Sequence, residues 1–153
     1  MRSVIALSVI AFSFVIAFLR HDRLYRVMRS NEFLSILCRA MKRNQSREML
    51  AFSTLFCNEY SSFYGKTPTF NSYDDVFEFI SKEFCTAIDT EGISAMIKKM
   101  CFSSKDELDA VYSDLKNLTD NALEKAKEAY GKYGKTSYVI YPSVCLMALI
   151  ALM

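Results

Sequence analysis

The sequence has one histidine, no tryptophan, four glycines and two prolines in 153 residues. A lone His21 gives a nucleophile only one candidate base, and it stands beside an apolar leader, a poor setting for a Ser/His/Asp or Cys/His pair. Nor can it complete a Cys/His zinc site, and no CxxC spacing occurs to offer a thiolate one. Asn-Gly and Asp-Gly are missing, and no stretch sustains period-two alternation, which argues against a hairpin-built β fold. Gly65-Lys66-Thr67 matches only the end of a phosphate loop and lacks its upstream glycine. The acid pairs Asp74/Asp75 and Asp106/Glu107 fall in first helical turns, where capping accounts for them. Nothing in this inventory points to an enzyme, a metal, a cofactor or a small-molecule substrate.

Charge is also absent from both ends. Residues 4–19 and 138–153 contain no Lys, Arg, Asp or Glu, so the chain reads as apolar end, charged middle, apolar end. The net charge of +2 conceals a second division. Residues 20–47 hold eight Arg/Lys against Asp22 and Glu32, whereas residues 48–136 hold ten Lys against fifteen Asp/Glu. A basic front can pair with an acidic back inside a bundle, or it can face anionic lipid. Nucleic acid is a poor partner, because no domain-wide basic excess or recognition motif accompanies the arginines.

The N-terminal end has the form of a secretory signal: Arg2, then an apolar run, with Val15-Ile16-Ala17 offering a cut after Ala17. The competing reading is an uncleaved anchor, because Arg20, Arg23, Arg26 and Arg29 crowd the far side and oppose translocation. At the other end, Gly134, a spacer over 135–143 and the apolar run 144–153 follow the layout of a GPI-attachment signal, with Gly134 as the lipid-attachment residue. If both ends instead stay in the membrane, the positive-inside rule places the middle on the cytosolic side.

Between the ends, apolar residues recur at threes and fours over 24–43 and 49–64, and Gly65 and Pro68 then break the chain. Ser72 to Asp75 opens a helix carrying Val76, Phe77, Ile80, Phe84 and Ile88. A short helix over 91–101 follows. Ser104 to Glu107 opens the most regular one, with Leu108, Val111, Leu115, Leu118, Ala122, Ala126 and Ala129 on one face. The spacing predicts an all-α domain, a single bundle of four or five helices over 18–134, between a signal or anchor (1–17) and an apolar tail (135–153).

Four internal cysteines, Cys38, Cys57, Cys85 and Cys101, lie on separate predicted helices, and Cys145 lies in the tail. In an oxidising lumen the four could form two bridges, in any of three pairings; alternatively they pack as small apolar thiols. Asn44-Gln45-Ser46 and Asn117-Leu118-Thr119 are N-glycosylation sequons, usable only in the lumen.

The order of leader 1–17, helical middle, Lys/Ala/Tyr-rich stretch 122–130, Gly134 and apolar tail resembles the small GPI-anchored surface antigens of apicomplexan parasites, such as the merozoite surface antigens of Babesia. That resemblance implies a secreted, surface-anchored interaction protein serving host-cell attachment or immune exposure, and it carries over no binding residue. The alternative is an integral membrane protein with two short anchors and a cytosolic or organellar helical domain, as a subunit of a membrane complex.

Overall fold

No glycine or proline occurs before Gly65, so nothing in the early backbone forces a stop. Accordingly α1 runs from Arg2 to Gln45 as one 44-residue helix, about 66 Å long at 1.5 Å per residue. The structure is a computed structural model that describes residues 2–45, 51–104, 107–134 and 136–151. Along these residues come α2 (Phe52–Tyr64), α3 (Tyr73–Glu83), α4 (Thr90–Phe102), α5 (Leu108–Ala129), a π turn (Tyr130–Gly134) and α6 (Ser137–Ala151). There is no strand among the described residues, and the expected all-helical class holds.

Local chemistry sets the ends of the short helices. Gly65 closes α2 in the left-handed region (φ 69°) and donates its N–H to the Ser61 carbonyl, a conformation glycine adopts without steric cost. Ser72 opens α3 with a complete capping box: its hydroxyl accepts from the Asp75 N–H, and the Asp75 carboxylate accepts from the Ser72 N–H. The Asn71 N–H, which donates to the same carboxylate, and next the bonds to Ser72 hold the Asp75 carboxyl below its ordinary range. α3 stops at Glu83 rather than reaching Ile88, because Thr90 opens the next helix by donating its hydroxyl to the Phe84 and Ala87 carbonyls. The second expected capping box includes residues 105–106, and the expected second helix begins at Met49; both lie outside the described residues.

α1 and α5 form the long axis of the molecule. They run antiparallel, since Lys42 meets Asp109, Ser35 donates to Asp120 at 3.1 Å and His21 meets Tyr130. Val111, Leu115, Thr119, Ala122 and Ala126 supply the buried face of α5, one residue every three or four. Of the smaller helices, α2 packs on the C-terminal half of α1 and α4 on α5, with α3 against α2 and α4. Phe33 is fully buried at their centre, stacked on Phe84 at 5.1 Å and edge-on to Phe56 and Tyr60 at 5.6 Å each. Burial beside Glu83 pushes the Tyr60 hydroxyl up to about 12, and that hydroxyl donates to Glu83. Arg29 closes the aromatic cluster from above, its guanidinium 3.9 Å from the Phe63 ring centre.

Candidate membrane-docking hairpin

The sequence reading treats the two apolar ends as separate signals. In the structure they are partners. α1 continues without a break through Ala17 and Phe18, and beyond the π turn α6 runs back along its N-terminal half. Small side chains mark the α1 and α6 faces that go out of solvent here: Ser13, Ala17 and Ser137 are buried, while the bulky neighbours are not. Ser13 and Ala17 stand one turn apart on α1, so both face the same side. Such residues let two helix backbones approach closely, the packing used between helices in lipid.

Their bulky neighbours point outward. Phe12, Val139 and Ile150 expose 66%, 67% and 65% of their surfaces, and Phe14, Val15, Phe18, Leu19, Val144, Leu146 and Met147 each expose about half or more. In the bundle most large apolar side chains turn inward, with Phe33, Phe56, Phe84 and Ile80 at 0–1% and Phe102 as an exposed exception. One molecule therefore carries a polar-surfaced head and an apolar-surfaced hairpin.

A collar of basic and aromatic side chains separates the two. Arg20 donates to the Tyr141 hydroxyl, and its guanidinium lies 5.5 Å from the Tyr133 ring centre and 5.7 Å from that of Tyr141. Lys132 lies 5.1 Å over Tyr133. The His21 Nε2 is 3.1 Å from the Tyr130 hydroxyl, and the Tyr25 ring lies 5.9 Å from that of Tyr130. Tyr, Arg and Lys together are the side chains that settle at a bilayer's polar boundary, each with an apolar body and a polar tip.

Gly134 holds this junction. It is buried in the π turn, and a Cβ there would meet the Tyr130 Cδ2 at 2.7 Å. We expect Gly134→Ala to displace the Tyr130 ring from His21 and cost about 1–3 kcal/mol, the usual range for overpacking. Thermal denaturation checks this; a variant as stable as wild type would show that the junction is loosely packed.

The chain matches no family model, no curated protein and no solved structure.

The remaining sequence expectations fall at scattered places. All five cysteines are free thiols and no two stand at bridging distance, so the expected pair of disulfides is absent from the structure. The reason is placement. Cys38 is buried in α1, Cys57 donates to the Pro68 carbonyl, Cys101 is half-buried in α4, and Cys85 is exposed beyond α3. Burial raises the Cys38 and Cys101 thiols to about 11 each. We expect thiol reagents to label Cys85 first in the native protein, and all five positions after denaturation without reductant. Because the folded thiols titrate above their ordinary value of 9.0, their contribution to stability is intact below pH 9 and is lost as pH rises to about 11. A pH series of urea melts reads that loss; a midpoint unchanged across this window would contradict it.

Asn117 is exposed on α5, but Thr119 of its sequon is buried and donates to the Lys116 carbonyl. Asn44 is half-buried at the end of α1, and its Ser46 lies outside the described residues. Gly134, expected as a lipid-attachment residue, is interior to the folded junction rather than in an open spacer. Lys135 lies outside the described residues.

Among the described residues the head carries a cleft of about 440 Å³, lined by Ile36, Arg39, Lys42, Arg43 and Tyr112. Its cations are engaged: Arg39 donates to Ser35, Lys42 pairs with Asp109, and Arg43 approaches Glu59 at 3.9 Å. No nucleophile lines it, and no three His, Cys, Asp or Glu gather to hold a metal among the described residues.

Sequence reasoning missed the collar and the seam. Ser13 and Ala17, four apart inside an apolar run, and tyrosines at 130, 133 and 141 flanking Lys132 were the available signals.

Proposed function

We propose that this protein is a membrane-anchored helical adaptor: its paired apolar ends enter the bilayer as one hairpin and hold a non-enzymatic bundle at the surface, where it meets a protein partner. The observation that carries this reading is the outward display of large apolar side chains on both hairpin helices, bounded by the Arg20–Tyr133–Tyr141 collar. In water that surface is unfavourable at roughly 25 cal/mol per Å². In hydrocarbon it is the ordinary surface of a helix pair.

Length decides the mode of insertion. Among the described residues no helix is long and apolar enough to cross a membrane. α6 has 15 residues, about 22 Å against a hydrocarbon core of about 30 Å. Pro142 within it has no N–H to give, and Ser143 donates its hydroxyl to the Val139 carbonyl nearby. A short helix of this kind needs a neighbour or a locally thinned bilayer, and α1 supplies the neighbour. The surface-antigen alternative discards α6 and the first 17 residues, and with them both sides of the seam.

The test is flotation of the full chain with phosphatidylcholine vesicles in high salt, which screens surface attraction and leaves apolar insertion. Co-flotation of most of the protein is expected. Protein remaining at the bottom of the gradient would contradict the proposal.

A further inference from the structure

We infer that the neck between hairpin and head is an anionic-lipid binding surface, which orients the protein on the leaflet carrying negative headgroups. The inference rests on the hairpin reading above and adds the chemistry of the lipid. It comes from charge placed by the fold. Residues 20–29 of α1 lie beside the end of α5 and the π turn, as the pairing of His21 with Tyr130 fixes. Residues 20–29 and 124–134 together hold seven Lys/Arg against three Asp/Glu. Residues 48–123, which include α2 to α4 and most of α5, hold six Lys against thirteen Asp/Glu. Residues 30–47 add four Lys/Arg against Glu32, so the head over 30–123 holds ten Lys/Arg against fourteen Asp/Glu, and the fold sets a net-positive neck beside the apolar surface with a net-negative head beyond it.

Exposure decides which cations are free to act. Arg20 is committed to the collar, and Arg29 turns toward Phe63 and Glu32. Arg26 pairs with Asp22 and Lys132 lies over Tyr133 in the collar, while Arg23, Lys125 and Lys127 are exposed outside it. Of the acids at this level, Asp22 is paired with Arg26 at 2.6 Å, and Glu124 and Glu128 are exposed on α5. Once the hairpin is inserted, these cations stand at headgroup depth, within a screening length of about 10 Å from the phosphates. The acidic head is repelled by the same surface. Neck attraction and head repulsion then favour an upright stance over one lying flat.

Each cation near an anionic surface contributes roughly a fivefold gain in partition. The test compares the full chain on vesicles of phosphatidylcholine alone with vesicles containing one-third phosphatidylserine, at low and high salt. We expect a preference of at least tenfold for the anionic vesicles at low salt, disappearing at high salt. In Arg23→Gln/Lys125→Gln/Lys127→Gln that preference should fall close to unity, while binding to phosphatidylcholine and the melting temperature stay unchanged. Equal binding to both vesicle types would overturn the lipid inference and leave hairpin insertion standing. Binding to neither would overturn both. A preference that survives in the triple variant would also overturn it, because the neck would then not be its source.

Discussion

Replacing Phe12, Phe18 and Val144 together by Asp should abolish membrane association while leaving the head folded. All three side chains are more than half exposed in the folded chain, at 66%, 57% and 54%, so the change removes less packing than loss of a buried side chain would. In hydrocarbon the penalty is large: roughly 3 kcal/mol for each aspartate within an apolar helix, hence about 9 kcal/mol in sum. That exceeds what the basic neck can offset. Flotation should therefore drop from most of the protein to background, with helicity by circular dichroism close to wild type. A triple variant that still floats would show that the hairpin is not the inserting element. A variant that loses helicity throughout would instead show that these side chains hold the fold.

Phe33→Ala should have the opposite selectivity, destabilising the head and sparing the hairpin. Phe33 is the hub of the aromatic cluster, touching rings of α2 (Phe56, Tyr60, Phe63, Tyr64) and Phe84 beyond α3. No backbone ladder fixes α2 and α3 on α1, so these ring contacts are what seats them. Removing a fully buried phenylalanine costs about 3–5 kcal/mol through lost transfer energy and the cavity left behind. For a head of this size that is a large share of a total of about 5–15 kcal/mol. Urea denaturation should show the midpoint fall sharply, while flotation of the variant is retained. A shift below 1 kcal/mol would mean that the cluster repacks and that Phe33 is not its centre.

The helices of the head were legible because their signals are local. Ser72 and Asp75 announce a cap within four residues, Gly65 ends α2, and the apolar series from Val111 to Ala126 repeats at threes and fours. The unbroken length of α1 was harder to read. Arg20, Arg23, Arg26 and Arg29 look like the flank of a finished segment, yet a charge does not end a helix as proline or glycine does. The pairing of α1 with α6 was not legible at all, because it joins residues more than a hundred positions apart through small side chains that carry no pattern of their own. Ser13, Ala17 and Ser137 gain meaning only when α6 is seen lying along α1. The cysteines show the converse. Their number suggested bridges, but placement in the fold decides whether thiols meet, and here four stand on separate helices and Cys85 in the turn after α3.

The adaptor reading depends above all on both apolar ends being kept. The most direct measurement is mass spectrometry of the intact chain extracted by detergent from its native membrane. We expect one species that contains both residues 4–19 and residues 137–151, and that a phospholipase specific for phosphatidylinositol anchors does not release. A species beginning near Phe18 and ending at Gly134 with a glycolipid attached would contradict the hairpin, and would make the protein a surface-anchored antigen instead.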